Sequence, residues 1–566
     1  MRVIVVGGVA AGASTAARLR RLTEDAEILM FERGEHVSFS NCALPYFLGG
    51  VIESSDDLVM MTPQAFKKRF NIDVFVNTEV TDINRSEKYV TVRDLKSGEE
   101  RRERYDKLVL APGAGPILPA SIRGIDRKNV FTVKNVTDVR AISAYLKESG
   151  AKKVAVAGGG FIGIETAENL AEAGYELSII EGAGQIMAPF DEDMVQILHK
   201  ELLDNGVQLY LNSMLTEIGE GFVRMKQGEE EKEIPADLVI MAIGVRPETT
   251  LARKAGLEIG ETGGIKTDHS FRTSDPDIYA VGDAAEIFDS LAGRPGRLAL
   301  AGPAQRQARI AADHIMGISD RNRGYIGSSC IRVFSQNAAA TGMNEKAAAK
   351  AGIPYDVAYV LPSDKVGIMP GSHYMAFKLL FEVPTGRILG AQAIGRGDVT
   401  KRVDVIAAMI TMGADLEDLK ELELCYSPVF GTAKDVVNIA ALVGLNVLYG
   451  RVKQVRVDQV RELVESGAYI IDVREKREYD AGHLKNAVNI PLSEFRQRID
   501  EVPKDIPVYL HCRTSQRSYY AICQLQNRGY TNAVNIRGSY LGICLYEYFK
   551  DVQLGREPIV TAYNFK

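Results

Sequence analysis

The stretch from residue 154 to residue 181 constrains the fold more than any other part of this sequence. An apolar run at 154–157 is followed by Gly158-Gly159-Gly160-Phe161-Ile162-Gly163 and then by a helix-forming stretch at 164–173. A second apolar run ends at Glu181. A G-x-G-x-x-G turn between a strand and a helix lets backbone N–H groups approach a pyrophosphate, and an acid at the end of the next strand accepts hydrogen bonds from ribose hydroxyls. The pattern predicts a parallel βαβ unit that binds a dinucleotide.

The acid at the end of this unit also indicates which dinucleotide binds. A carboxylate at Glu181 accepts from the 2′- and 3′-hydroxyls of an adenosine ribose and repels a 2′-phosphate. Residues 182–184 read Gly-Ala-Gly and offer no arginine to such a phosphate. The sequence therefore favours NADH over NADPH.

The N-terminus carries a weaker copy of the same pattern. The run at 3–6 leads into Gly7-Gly8-Val9-Ala10-Ala11-Gly12, in which Val9 replaces the middle glycine, and a helix is expected at 13–22. The next apolar run ends at Glu32, twenty residues after Gly12, where a ribose-binding acid belongs. Two copies in one chain predict two dinucleotides, one tightly bound and one exchanging.

Three further stretches connect the two units. Residues 105–114 read as a buried strand with a small-residue turn, which would carry the chain from the first unit into the second. Residues 241–247 read as the crossing back. A strand at 277–281 ends in Gly282-Asp283, which would place Asp283 against the cofactor of the first unit. The second unit is therefore expected to be inserted into the first.

Cys42 lies ten residues after Glu32, within Ser38-Phe39-Ser40-Asn41-Cys42-Ala43-Leu44-Pro45-Tyr46. Because Pro45 fits only in a first helical turn, a helix should begin at about Asn41 or Cys42. A thiol at that position faces free N–H groups and the positive end of the helix dipole, which favour the thiolate. The next cysteine is Cys330. Cys42 should therefore react with a substrate thiol, a sulfane sulfur or oxygen rather than with a local partner.

The C-terminal hundred residues contain a second candidate nucleophile. Strand patterns at 468–475 and 508–511 precede the loop Cys512-Arg513-Thr514-Ser515-Gln516-Arg517, and a helix is expected at 518–528. A loop at a helix N-terminus can curl its amides around the sulfur of Cys512. With Arg513 and Arg517 adding positive charge, it would lower the thiol pKa and stabilise a persulfide.

From residue 1 to about 445, these motifs resemble the flavoprotein disulfide reductases that bind two dinucleotides. The segment around Cys42 is very close to the active-site signature of their single-cysteine branch, which includes coenzyme A-disulfide reductases, NADH-dependent persulfide reductases, and NADH oxidases and peroxidases. The C-terminal part resembles a single rhodanese (sulfurtransferase) domain. Ser515 departs from that pattern, because many relatives place glycine there.

The resemblance implies FAD in the first unit and NADH in the second, with Phe161 stacked over the flavin. It also implies a homodimer in which Tyr426 reaches the partner's active site. Coenzyme A and NADPH remain alternative ligands, and no metal is expected. The catalytic candidates are Cys42, Tyr426 and Cys512. The cofactor-binding candidates are Gly7, Gly8, Gly12, Glu32, Arg33, Asn41, Ala111, Gly113, Gly158, Gly160, Phe161, Gly163, Glu181, Gly244, Gly282 and Asp283.

The expected fold class is α/β, with two Rossmann-like domains for FAD and NAD, an α+β dimerisation domain and a C-terminal α/β rhodanese domain. The expected boundaries are 1–115 with 246–323 for the FAD domain, 116–245 for the NAD domain, 324–445 for the dimerisation domain, 446–456 for a linker, 457–553 for the rhodanese domain and 554–566 for a tail.

Four functions compete. A persulfide or polysulfide reductase is favoured, with the rhodanese domain handling sulfane sulfur, and a coenzyme A-disulfide reductase is the alternative. Relatives with oxygen or peroxide chemistry carry a histidine in the first glycine loop, where this chain has Ala10. Coenzyme A-disulfide reductases place a Tyr-Tyr-Pro-Gly run where this chain has Ile368-Met369-Pro370-Gly371. A redox-sensing scaffold is the non-enzymatic alternative.

Composition excludes other classes. The net charge of −6, without a basic patch that carries interleaved aromatic residues, argues against a nucleic-acid binder. The first strand begins almost at Met1, and the six cysteines are scattered, so we expect a cytoplasmic protein without a signal peptide. We expect Cys330, Cys523 and Cys544 to be core thiols.

Overall fold

The computed structural model describes residues 1–565. The chain forms two compact units, one made of Met1–Gly184 with Tyr210–Tyr325 and the other of Gln185–Leu209 with Ile326 onward. Each unit is described by itself below.

The first unit contains a five-stranded parallel sheet built from the N-terminal motif. Its strands are, in spatial order, Ile278–Ala280, Lys107–Leu110, Arg2–Val6, Glu27–Phe31 and Asp73–Phe75. Residues 3–6 of the central strand form an apolar run, as expected of a parallel strand that is covered on both faces. Val3, Ile4 and Val5 are accordingly fully buried.

A second parallel sheet repeats this arrangement around the cleaner motif. Its order includes Glu176–Ile180, Lys153–Ala157, Leu238–Met241 and Val130–Phe131. The strand Gln208–Tyr210 lies at the point in the sequence where the chain passes from the second unit back into the first. The two crossing segments pair with each other, since Ala114–Pro116 runs antiparallel to Val245–Pro247.

Antiparallel strands and helices complete the first unit. The strands are Thr78–Asn84, Tyr89–Asp94 and Glu100–Arg104; Ser213–Ile218, Phe222–Gln227 and Glu230–Pro235; and Ile287–Asp289 with Arg294–Gly296. The α-helices are Ala10–Leu22, Leu44–Leu48, Pro63–Phe70, Val136–Ser149, Phe161–Glu172, Thr250–Lys254 and Ala301–Ile315. The 3₁₀ turns are Asn41–Ala43, Ser55–Leu58 and Gly282–Ala284.

The second unit holds two sheets. The first is antiparallel, in the order Ser328–Val333, Gln336–Gly342, Ile388–Gly395, Met375–Glu382, Tyr355–Val360. The second is parallel, in the order Lys453–Val455, Ala533–Ile536, Val508–His511, Tyr469–Asp472, Val488–Asn489.

Helices cover both sheets of the second unit. They are Glu192–Asp204, Glu345–Ala351, Thr400–Met412, Leu416–Lys420, Val436–Leu448, Val460–Glu465, Lys476–Asp480, Gln516–Gln526 and Ser539–Leu554, with 3₁₀ turns at Val457–Gln459 and Ile499–Glu501. Ile559 and Val560, near the C-terminus, are buried in the same cluster as Leu484.

The expected α/β class is confirmed, and the corrections are local. Three helices begin earlier than the sequence predicts, at Ala10, Phe161 and Gln516, because the last residues of each glycine-rich or cysteine loop already join the helix. Cys330 was expected in the core but is exposed, since it lies on the terminal strand of its sheet. Within residues 1–565, no helix combines the length and apolarity that crossing a membrane needs.

Candidate active site

The first glycine loop is shaped by steric limits that only glycine meets. Gly7 has φ +96°, and a Cβ built on it would lie 2.1 Å from the Ala111 carbonyl oxygen. A Cβ on Gly12 would lie 1.8 Å from the Gly7 carbonyl oxygen. The neighbouring loop, in which Gly113 has φ +72°, therefore packs directly against the first glycine turn.

Glu32 lies directly after the strand Glu27–Phe31 and binds the backbone of the first glycine loop. Its two carboxylate oxygens accept hydrogen bonds from the backbone N–H of Gly8 at 2.8 Å and of Gly34 at 2.7 Å. Next to it, the side chains of Arg33 and Lys134 make no hydrogen bond or ion pair with any residue from 1 to 565. Burial and the nearby Arg33 lower the pKa of Lys134. Two unpaired cations beside a ribose-type acid suit a dinucleotide diphosphate.

The Gly282-Asp283 turn lies at the same glycine loop. A Cβ on Gly282 would come within 3.0 Å of the Ala11 side chain. The Gly282 N–H donates to Gln307 Oε1 at 2.6 Å, and the fully buried Gln307 keeps an Nε2 donor without a partner among the described residues. Burial raises the pKa of Asp283, which Lys134 partly offsets. An orphaned buried donor and an acid near the Lys134 ammonium fit the polar chain of a bound FAD.

The second glycine loop repeats this geometry. Gly158 has φ +113°, and a Cβ on it would lie 2.2 Å from the Ala242 carbonyl oxygen. A Cβ on Gly163 would lie 2.0 Å from the Gly158 carbonyl oxygen, whereas the space around Gly160 is open. Glu181 accepts from the N–H of Gly159 at 2.6 Å and of Ala183 at 2.8 Å. The loop thus offers open backbone and a fixed acid to a second dinucleotide.

Cys42 is exposed, and its local structure differs from the expectation. It lies in the 3₁₀ turn Asn41–Ala43, and the α-helix that follows, Leu44–Leu48, has only five residues, with Pro45 in its first turn. So short a helix offers little dipole. The prediction that the surrounding protein lowers the Cys42 pKa is wrong. Desolvation by surrounding protein raises the Cys42 pKa, and Glu165 and Asp283 raise it further.

Glu165 is an acid that the sequence interpretation missed. It lies in the first turns of the helix Phe161–Glu172, and burial together with the neighbouring Glu168 raises its pKa to about 7. A carboxyl with this pKa exchanges protons near neutral pH. Its signal in the sequence is an acid two positions after the last glycine of the motif, a place that the dinucleotide pattern itself does not require.

In the C-terminal sheet, Cys512 is buried at the end of the strand Val508–His511. Its N–H donates to Ser539 Oγ at 3.1 Å, and its Sγ lies 3.8 Å from Ser518 Oγ and 3.9 Å from Ser539 Oγ. The Asp472–Arg474 ion pair, at 2.6 Å, is fully buried and lies at the end of the neighbouring strand Tyr469–Asp472, in which Asp472 pairs with His511.

The two loop arginines, which the sequence suggested would both serve Cys512, have other partners. Arg517 donates to both carboxylate oxygens of Glu478, at 2.6 and 2.8 Å, although it remains within electrostatic reach of Cys512. Arg513 donates to the Asn564 carbonyl at 3.0 Å. The remaining residues of the loop, Thr514 and Gln516, are half-buried and exposed. The positive charge at Cys512 is therefore smaller than the sequence predicts.

Three further residues lie outside these loops in the sequence. His483 is half-buried, stacks on Tyr479 and bonds the Tyr479 carbonyl at 2.9 Å, which are the contacts of a structural side chain. Tyr426 belongs to the second unit and is half exposed. Gly244, with φ +126°, lies immediately before the returning strand of the first unit.

Comparison with known proteins assigns the family. The family model described as pyridine nucleotide-disulphide oxidoreductase matches residues 1–308, and the dimerisation domain of the same family matches 329–435. The chain belongs to this family. This family implies FAD and a nicotinamide dinucleotide as cofactors. A separate model, described as a rhodanese-like domain, matches residues 456–545.

Individual proteins resemble much of the chain. Reduced CoADR-RHD of Bacillus anthracis is 42% identical, with a TM-score of 0.93, covering 97% of this chain and 98% of that one. A NAD-dependent persulfide reductase from A. fulgidus is 33% identical, with a TM-score of 0.90, covering 96% and 100%. A protein from Methanocaldococcus jannaschii named NADH oxidase is 34% identical over 446 residues, covering 78% of this chain and 98% of its own.

Proposed function

We propose that this protein is an FAD-dependent NADH:persulfide or polysulfide reductase that uses Cys42 and carries a rhodanese domain for sulfane sulfur. One observation carries the proposal. Cys42 is the sole cysteine of the unit that contains both dinucleotide motifs, and it is exposed. It therefore has no local thiol with which to form an internal disulfide, so its sulfur partner comes from a substrate.

The roles of the chain's own residues follow from this geometry. Glu32 and Glu181 fix two riboses, and the cation pair Arg33 and Lys134 neutralises a diphosphate. Bound flavin would transfer electrons from the nicotinamide to sulfur. The Cys42 thiolate attacks the terminal sulfur of a persulfide, RSSH, and the RS⁻ group leaves with the electron pair of the S–S bond, so that Cys42 carries the persulfide. Glu165 is placed to exchange the proton that Cys42 loses.

The C-terminal domain supplies a second sulfur carrier under the same proposal. The Cys512 thiolate attacks the outer sulfur of thiosulfate, sulfite leaves with the bonding electron pair, and Cys512 keeps a persulfide. The similarity to a persulfide reductase with the full domain arrangement supports this assignment. The matched dimerisation domain supports a homodimer, in which Tyr426 would donate to the substrate sulfur of the partner subunit.

The alternative is a coenzyme A-disulfide reductase, with coenzyme A as a retained ligand. The signature around Cys42 favours it, but Ile368-Met369 stand where such reductases carry two tyrosines, so one phenolic donor for a thiolate leaving group is missing. Losing such a donor costs about 1–3 kcal/mol. Oxidase chemistry is favoured by the name of one relative but lacks the loop histidine, since Ala10 stands there.

Anaerobic kinetics test the proposal. Purified holoenzyme should oxidise NADH only when a persulfide is added, and Cys42→Ser should retain flavin but lose this turnover. Cys330→Ser, which removes another exposed thiol, is the matched control and should keep wild-type rates. Persulfide-dependent turnover by Cys42→Ser at the wild-type rate would refute the assignment.

A further inference from the structure

Ser515 occupies the loop position where the rhodanese resemblance leads one to expect glycine, and its backbone is left-handed, with φ +76°. It is the N-cap of the helix Gln516–Gln526, yet its side chain makes no capping hydrogen bond. Serine is normally a good N-cap because its oxygen accepts from the first turn. Here the hydroxyl instead lies 3.1 Å from Ser539 Oγ and 3.2 Å from the Ile536 carbonyl.

Ser539 is the residue that this hydroxyl meets. It is fully buried and also left-handed, with φ +51°. Its Oγ accepts from the Cys512 N–H and lies 3.9 Å from Cys512 Sγ. Left-handed non-glycine residues persist where the surrounding structure holds them firmly, and they cluster at functional sites. Ser515 and Ser539 are two such residues in contact beside the buried Cys512, which indicates that they act on its sulfur.

The number of hydroxyl protons limits how these bonds can be directed. Each serine hydroxyl has one proton to donate. Ser518 lies 2.7 Å from Asn535 Oδ1, its shortest contact, so its proton goes there rather than to Cys512 Sγ at 3.8 Å. Ser515 Oγ lies 3.1 Å from Ser539 Oγ and 3.2 Å from the Ile536 carbonyl, so its proton has two acceptors. When Ser515 donates to Ser539, the Ser539 oxygen is fully used as an acceptor, by Ser515 and by the Cys512 N–H. The Ser539 proton then has the Ile536 carbonyl at 3.5 Å and Cys512 Sγ at 3.9 Å as acceptors, and an ionised sulfur attracts it more strongly than a neutral carbonyl does.

We propose that Ser515 is a positioning residue that orients the Ser539 hydroxyl toward Cys512 Sγ, so that the thiolate of Cys512 and its persulfide receive a directed hydrogen bond. A bond to a charged sulfur is shorter and stronger than one to a neutral thiol. The serine that departs from the family pattern is thus part of the sulfur site. The persulfide part rests on the proposed function, whereas the thiolate part stands without a substrate.

The S–H stretching band of Cys512, followed by infrared difference spectroscopy against Cys512→Ser in the full-length holoenzyme, tests this without requiring access to the buried sulfur. The pH at which half of the band is lost should rise in Ser515→Ala by about 1–2 units, the effect of losing one hydrogen bond to an ionised group. Ser515→Gly should produce the same rise. Ser493→Ala is the matched control and should leave the midpoint unchanged, because among residues 1–565 the Ser493 hydroxyl bonds only Glu475.

The two Ser515 variants differ in backbone strain but lose the same hydroxyl. Alanine keeps the left-handed cost, whereas glycine removes it. Equal rises support the inference. An unchanged midpoint in both variants, or a change in Ser515→Gly alone, would overturn it. Thiosulfate sulfurtransfer by the wild type is measured in parallel. If the midpoint shifts but no transfer occurs, the hydroxyl arrangement stands and the proposed sulfurtransfer role of Cys512 fails.

Discussion

The lysine cluster of the second unit gives a quantitative prediction. We define it as Lys378, Asp191, Asp193 and Glu345. The Lys378 ammonium is 2% exposed and lies 2.7 Å from Asp193 and 3.1 Å from Asp191, and it also contacts Glu345. Burial alone would lower the Lys378 pKa, but the three carboxylates raise it above its ordinary value. The ammonium therefore occupies the place that a metal ion would take among these acids.

Lys378→Met removes this charge and keeps most of the volume. The three acids would then lie within 4.8 Å of one another without a counterion. Two unit charges at that separation repel by about 3.5 kcal/mol at an effective dielectric constant of about 20. Removing one partner of a buried ion pair costs about 3–5 kcal/mol. We expect the apparent free energy of unfolding to fall by about 3–5 kcal/mol at pH 8.

The pH dependence follows from the same charges. In Lys378→Met, the folded-state pKa values of the acids rise above their unfolded values, so the protonated forms stabilise the fold at low pH and this contribution is lost as the pH rises. The deficit relative to the wild type should therefore be smaller at pH 5 than at pH 8. Urea unfolding at both pH values measures it, with the exposed Lys350→Met as control. A deficit below about 1 kcal/mol at pH 8, or one independent of pH, would refute the reasoning.

Three further predictions concern the reactive sites. Glu165→Gln should lower the pH midpoint of Cys42 alkylation by iodoacetamide, because it removes a negative charge that raises the Cys42 pKa. The exposed control Glu176→Gln should leave the midpoint unchanged. An unchanged midpoint in Glu165→Gln would contradict the electrostatic effect of Glu165 on Cys42. NADH should exceed NADPH in kcat/KM by roughly tenfold, because repulsion between Glu181 and a 2′-phosphate is worth about 1–2 kcal/mol, and equal values in steady-state assays would exclude this role. Cys512→Ser should abolish thiosulfate sulfurtransfer but leave the reduction of small persulfides largely intact, and a collapse of both activities would show that the two sites are obligately coupled.

The parallel sheets were predictable because their signals are local. Each strand, glycine turn and terminal acid is contiguous in sequence, and the structure gives Glu32 and Glu181 the same pair of backbone donors. The crossing segments were also recognisable, and the structure pairs them. Short-range patterns of this kind specify backbone conformation directly.

Features that depend on distant residues were not predictable. Burial by the surrounding protein raises the pKa of Cys42 most, and Glu165 and Asp283, which lie more than a hundred positions away in sequence, raise it further. The pairing of Arg517 with Glu478 spans 39 positions and reduces the charge expected at the sulfur loop. The sequence near Cys42 and Cys512 does not predict these neighbours, because the electrostatic environment of a side chain depends on tertiary packing.

Mass analysis of Cys42 tests the central claim most directly. Holoenzyme mixed anaerobically with a persulfide, without NADH, should carry one additional sulfur atom on the peptide that contains Cys42. Addition of NADH should remove that sulfur as sulfide and restore the free thiol. If Cys42 stays unmodified while NADH-dependent persulfide turnover proceeds, the reaction does not pass through this cysteine and the proposed function is wrong.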